Sequence, residues 1–161
     1  MKLHTLCYVE QDGKYLMLHR NKRPGDVHEG KWVGLGGKFE PGESPEECVV
    51  REVFEESGLR ITAPRLRGIL TFPEFSQSDW SDWYVFLFTA TEFTGELIAG
   101  PEGELAWVDK SALAGLPMYE GDHYFLRWLD EYQGVFSAKF LYEAGKYVGH
   151  KLVVYDERPM K

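Results

Sequence analysis

The chain has 161 residues, 43% apolar and 27% charged, which is enough for one domain with a full core and too few for two ordinary ones. A net charge of −8 with no basic stripe argues against a polymeric nucleic-acid partner, and no apolar run approaches the roughly 20 residues that cross a bilayer. Cys7 and Cys48 stand without CxxC spacing behind an N-terminus with no signal-peptide pattern, so a reduced, cytoplasmic protein is expected.

KLHTLCYVE (2–10) and KYLMLHR (14–20) flank Gln11, Asp12 and Gly13 and predict a β-hairpin of inner strands. NKRPGDVHEG (21–30) reads as a polar loop, locally positive through Arg20, Lys22 and Arg23. Such a loop is either simply solvated or, beside an acidic metal site, a contact for substrate phosphates. In KWVGLGGKFE, Gly34, Gly36 and Gly37 let the backbone come close to a ligand or metal where a side chain would block it.

A well-marked helix follows, with Ser44 as N-cap, Pro45 in its first turn, Glu47 completing a capping box and Gly58 as the stop. At about 100° per residue, Val49, Val50, Val53 and Phe54 share one arc for packing, and Glu52, Glu55 and Glu56 share another. Glu46 and Glu47 suit the positive end of the helix dipole. Glu55 and Glu56 oppose its negative end, so helix stability does not explain them. Clustered carboxylates are hard oxygen donors of the kind that hold Mg²⁺ or Mn²⁺.

Arg65 to Phe72 and Trp83 to Ala90 predict strands around the aromatic, acidic loop PEFSQSDWSD. Thr94-Gly95 predicts a turn, followed by a short strand from Glu96 to Ala99. Then come a strand from Leu105 to Asp109, a short helix from Lys110 to Ala114, a helix from Asp122 to Tyr132, and a terminal hairpin of Val135 to Tyr142 and Tyr147 to Tyr155. Many strands around two longer helices predict an α+β fold with a mixed sheet between helices.

Gly37, five residues, Glu43, seven residues, Arg51-Glu52-Val53, then Phe54, Glu55-Glu56, Ser57, Gly58 and Leu59 resemble, without a departure, the signature of the Nudix (MutT-type) hydrolases. The resemblance implies an α/β/α sandwich around a mixed sheet, a single domain over residues 1–161, and hydrolysis of a nucleoside diphosphate linked to another group. It implies a divalent cofactor, Mg²⁺ with Mn²⁺ able to substitute, held by Glu52, Glu55 and Glu56 and by a backbone carbonyl near Gly36 or Gly37. Glu43 would brace the loop and Arg51 would orient the acids, although Arg51 also reads as a plain helical partner of Glu47 or Glu55. The general base stays open between a signature glutamate and a later loop acid. Glu102 falls where the nucleotide-sanitising members carry an additional metal-associated acid, and it also reads as an ordinary loop acid beside Pro101 and Gly103.

The flanks are similar to the branch of that family that hydrolyses oxidised purine nucleoside triphosphates such as 8-oxo-dGTP to the monophosphate and pyrophosphate. GKWVGLGGKFEPGE, MYEGDHYF and FSAKFLYEAG carry the likeness. It implies Phe72 against the base, Tyr119 stacked over it and Asp122 hydrogen-bonded to its edge, with Arg23, Val33 and Lys38 completing the substrate-binding set. Phe72 and Tyr119 also read as plain core. Val33 stands in place of an asparagine, Gly121 of an aspartate and Val27 of an aromatic, departures that imply a broader or altered base preference. ADP-ribose or another nucleoside diphosphate derivative is the alternative substrate, supported by Pro73. A non-catalytic nucleotide sensor is the other class, and such domains commonly lose signature acids, all of which are present here. The expected partner is a small nucleotide, with no polymeric nucleic acid and no membrane, for a monomer or weak homodimer.

Overall fold

The computed structural model describes residues 1–21, 30–75, 79–98 and 103–156. Asp12 and Gly13, at φ 53° and 74°, turn strand β1 (Lys2–Gln11) back onto β2 (Lys14–His19), so that Gln11 pairs with Lys14. Two left-handed residues give the tight turn whose twist matches that of a hairpin. The remaining strands are β3 (Trp32–Val33), β4 (Arg60–Thr62), β5 (Arg65–Phe72), β6 (Trp83–Ala90), β7 (Glu92–Thr94), β8 (Glu104–Asp109), β9 (Phe136–Glu143) and β10 (Lys146–Val154).

The main sheet runs β10-β9-β5-β6-β1-β2-β3, with β8 also on β2. It is mixed: β1 runs parallel to β6 and β5 to β9, while the other pairs are antiparallel. Side chains alternate across it. Cys7, Val9, Leu16 and Leu18 face a core closed by Val49 and Val53 of helix α1 (Pro45–Ser57). Tyr8, Tyr15, Met17, Leu70 and Leu87 face a second core closed by Phe125, Trp128 and Leu129 of α2 (Glu120–Glu131). Strands buried on both faces explain why β1 and β2 read as inner strands, and the expected helix–sheet–helix layering is present.

The α1 signals act as read. Ser44 Oγ accepts from the Glu47 N–H at 3.1 Å, Glu47 Oε1 accepts from the Ser44 N–H at 2.9 Å, and Gly58, at φ 81°, closes the helix on the Phe54 carbonyl. The packing arc differs from the expected one. It reaches from Cys48 through Val49 and Val53 to Ser57, leaving Phe54 38% exposed under the Arg60 guanidinium, which lies 4.1 Å from its ring centroid. Phe54 lies about 100° past Val53 and falls beyond the edge of the buried stripe.

Two further elements differ. The short strand near Thr94-Gly95 precedes the turn as β7, pairing with β4 through Ile61 and Phe93, and 96–98 form no strand. The Ile98 N–H instead reaches the Ser57 carbonyl at 2.9 Å, so this segment closes the end of α1. The 110–114 helix is a 3₁₀ turn (Lys110–Gly115), and α2 begins two residues before Asp122. No helix among the described residues is long and apolar enough to cross a membrane.

Candidate active site

The edge of β1 that β2 leaves unpaired is taken by the glycine segment. Leu35 exchanges backbone hydrogen bonds with Cys7, the Thr5 N–H donates to the Gly37 carbonyl at 2.9 Å, and the Phe39 N–H to the Leu3 carbonyl at 3.2 Å. The fit is close: a Cβ on Gly36 would lie 2.0 Å from the Thr5 carbonyl oxygen, and one on Gly37 would lie 2.5 Å from the Glu52 carboxylate. Only glycine lets the segment lie between β1 and the acidic helix. The Gly37 carbonyl expected among the metal donors is turned onto Thr5.

Glu52, Glu55 and Glu56 of α1 line one end of a cleft of about 610 Å³, together with Gly36, Gly37 and Lys38. Glu56 follows Val49 by two turns and so lies in the packing stripe, not opposite it; its half-buried carboxylate accepts the Gly36 N–H at 2.7 Å. Arg51 holds the rest of the set together. Its guanidinium grips Glu43 by two bonds of 2.7 and 2.9 Å, and donates to Glu52 at 2.8 Å, Glu55 at 3.1 Å and the Lys38 carbonyl at 3.0 Å. Glu47 serves the capping box, so of the two helical partners read for Arg51 only Glu55 is used. The hydrogen bonds from Arg51 and from the Glu40 N–H hold the Glu43 carboxyl down at about 2, and the same contact with Glu43 raises the Arg51 guanidinium further above its ordinary value.

Among the described residues no three Asp, Glu, His or Cys side chains stand together as a ready-made cation cage. The signature acids form an open face on one side of the cleft. Such a face fits a hard divalent ion that keeps much of its water or completes its shell with phosphate oxygens, and does not fit a soft metal that asks for sulfur or imidazole.

The other end of the cleft is aromatic, lined by Phe72, Phe75, Tyr119, Asp122 and Phe125. Phe72 serves both readings, since it lines the cleft and also stacks on Phe140 at 5.4 Å within the core. Tyr119, the residue before α2, meets Phe75 edge-on at 5.7 Å and has the Lys31 ammonium 4.9 Å from its ring centroid. Asp122 is 7% exposed, and burial pushes its carboxyl from 3.8 up to about 8, against the pull of Lys31. Val33 lines the wall beside Leu18. Gly121 donates its N–H to the Tyr142 hydroxyl at 2.8 Å, and a Cβ there would lie 3.0 Å from both that oxygen and the Phe140 ring.

The structure thus brings Glu52, Glu55, Glu56, Gly37, Lys38, Val33, Phe72, Tyr119 and Asp122 into one cleft, with Arg51 and Glu43 behind the acids. Arg23, Val27 and Glu102 lie outside the described residues. Arg20, read from the sequence as part of the positive loop, also lines the cleft; sequence reading missed His4 and Trp83, stacked 4.2 Å apart in its lining, together with Phe75 and Lys31. The alternation of His4, Leu6 and Tyr8 on β1 carried a signal for His4. Trp83 depends on pairing with a strand far away in sequence.

Comparison with known proteins gives the family and the fold. Residues 2–129 match the NUDIX domain family. An uncharacterized Nudix hydrolase of Bacillus subtilis, YvcI, is 37% identical over 141 residues, covering 86% of this chain and 85% of its own. The oxidized purine nucleoside triphosphate hydrolase of Danio rerio is 32% identical over 121 residues, 75% of this chain and 74% of its own. The crystal structure of a MutT protein from Bacillus halodurans superposes with a TM-score of 0.83 at 33% identity, covering 94% of this chain and 97% of that one. With its complete signature on α1 and its glycine segment docked on β1, the chain belongs to the Nudix hydrolase family.

Proposed function

We propose that this Nudix hydrolase cleaves purine nucleoside triphosphates, with 8-oxo-dGTP as the leading substrate, to the monophosphate and pyrophosphate. The observation that supports this is the continuous cleft, which leads from the carboxylate face to an aromatic pocket ending in Asp122. Family members use a divalent metal and act on small nucleotides. Mg²⁺ is the proposed ion here, with Mn²⁺ as a substitute, and Glu52, Glu55 and Glu56 would hold it. When bound it neutralises phosphate oxygens and stabilises the leaving phosphate.

The side chains divide the remaining work. Arg51, itself fixed by Glu43, orients Glu52 and Glu55. The Gly36 N–H orients Glu56. A water attacks phosphorus, the bridging P–O bond breaks, and the water's proton passes to a base drawn from the signature glutamates or Glu102. Lys38 and Arg23 meet phosphate charge. At the far end Phe72 and Tyr119 sandwich the purine, a contact worth about 1 to 3 kcal/mol per stacked base. Asp122, protonated at neutral pH, offers an O–H donor as well as an acceptor to the base edge. Val33 and Gly121 supply no polar reader, so discrimination rests on Asp122. The whole of 1–161 acts as one cytoplasmic domain, monomeric or weakly dimeric.

The test is a substrate panel with Mg²⁺, comparing 8-oxo-dGTP, dGTP, ATP and ADP-ribose by release of pyrophosphate and monophosphate. Triphosphate turnover with 8-oxo-dGTP foremost is expected; turnover of ADP-ribose with none of any triphosphate overturns the proposal.

A further inference from the structure

Lys31 sits on a doubly anchored stretch of backbone. The Arg20 N–H donates to the Lys31 carbonyl at 3.0 Å, and the next N–H, of Trp32, donates to the Pro117 carbonyl at 2.8 Å. The first bond ties Lys31 to the end of β2, and the second ties it to the linker that carries Met118 and Tyr119 into α2. The Trp32 ring stacks on His19 at 4.5 Å, which fixes the strand further. From this base the ammonium reaches to 4.9 Å from the Tyr119 ring centroid, while Phe75 meets the same ring edge-on at 5.7 Å. Tyr119 makes no side-chain cap bond to α2, and the Lys31 and Phe75 contacts both bear on its ring.

Asp122 lies one turn into the same helix. Among the described residues, Tyr8 from β1 and Tyr142 from β9, whose hydroxyls burial keeps protonated, and the cation Lys31 interact with it. On α2 itself Glu120 and His123 flank it in sequence.

We propose that Lys31 is a positioning residue of the base pocket, holding the Tyr119 ring beside Asp122, whose N–H donates to the Tyr119 carbonyl at 3.0 Å, in the arrangement that receives a nucleobase. The inference deepens the nucleotide reading and rests on it. One cation packs on the stacking ring and favours the charged form of the neighbouring carboxyl, so replacing it disturbs both.

The test compares Lys31→Met with Lys31→Arg in the Mg²⁺-loaded protein, using 8-oxo-dGTP and dGTP. In Lys31→Met the KM is expected to rise roughly three- to fivefold, the size of one cation–π contact, with kcat falling less than KM rises; Lys31→Arg restores KM. A second readout needs no substrate: carbon-13 NMR titration of the Asp122 carboxyl. Its midpoint is expected to move up in Lys31→Met and to return in Lys31→Arg. If Lys31→Met does not fold, Lys31→Gln carries the same comparison. An unmoved midpoint overturns the inference whatever the substrate. Failure of the wild type to turn over any purine triphosphate counts against the functional reading and leaves the titration to decide on Lys31.

Discussion

Glu56 is held by the fold and not by its helix. It lies at the C-terminal end of α1, where the dipole disfavours a carboxylate, and in the stripe that packs, where Gly36 supplies its N–H at 2.7 Å. Glu56→Gln keeps the shape and removes the charge. Wild-type folding by circular dichroism with a kcat lower by at least about a hundredfold is expected, and unchanged metal-dependent turnover would remove Glu56 from the site. Arg51→Lys keeps a cation but loses the fork that grips Glu43 while reaching Glu52 and Glu55, and a fall in kcat of about tenfold or more is expected in steady-state assays. Asp122 behaves differently. Its folded value is raised from 3.8 to about 8, so the native state keeps a proton that the unfolded chain releases between those values. The unfolded state gains as pH rises through that window, and the stability cost levels off above about pH 8. Asp122→Asn should therefore raise Tm at pH 8 to 9 and leave it nearly unchanged near pH 4, while kcat/KM for the nucleotide falls; equal Tm shifts at both pH values would contradict the assignment. The place of the signature acids in the cleft was legible because spacing along the chain defines them, and that of Asp122 only through the resemblance carried by MYEGDHYF. Lys31, His4 and Trp83 were not, because their roles arise from strand registers and a backbone bond to Pro117 that spacing does not encode.

Helix α1 is the element that sequence reading reproduced most closely, because its capping box, first-turn proline and glycine stop are local devices. Phe54 was assigned to the wrong side for a physical reason. An arc drawn through valines alone ignores that Cys48 and Ser57 are small enough to pack, and including them turns the buried stripe away from Phe54. The end of α2 carried no local signal at all. It has no basic residue in its last turn, and its unpaired carbonyls are met from β5: Arg67, 4% exposed, donates to the Leu129 carbonyl at 3.0 Å and also to that of Tyr132, while Arg65 reaches Gln133. Burial pulls the Arg67 guanidinium below its ordinary range, the mark of a cation held by backbone dipoles in place of a carboxylate. Arg67→Met fills the space and leaves those carbonyls without a donor, so a loss of about 2 to 4 kcal/mol in urea unfolding is expected, larger than for an exposed arginine.

At the scale of the molecule, the family match ends at residue 129 while the sheet continues through β9 and β10. Phe136 and Phe140 are fully buried; Phe140 stacks on Phe72 and Trp128, so the hairpin supports the floor of the aromatic pocket. Removing residues 133–161 would uncover β5, which pairs with β9, and one face of α2. Such a truncated chain is expected to lose its cooperative thermal transition, whereas retention of a wild-type Tm would mean that the hairpin is an appendage. The layered fold was legible because both faces of β1 and β2 are apolar. The course of the cleft was not, because it passes from α1 on one face to α2 on the other around the docked glycine segment.

The contact between Gly121 and Tyr142 bears on how such a pocket can change over generations. A Cβ at 121 would stand 3.0 Å from the Tyr142 hydroxyl and from the Phe140 ring, so an aspartate there asks these side chains to give by a few tenths of an ångström, and Tyr142 already takes the Gly121 N–H. Accepting a second acid at 121 is therefore coupled to the side chain at 142. A smaller residue at 142 eases the space beside 121, so a substitution in the terminal hairpin changes what the pocket can accept.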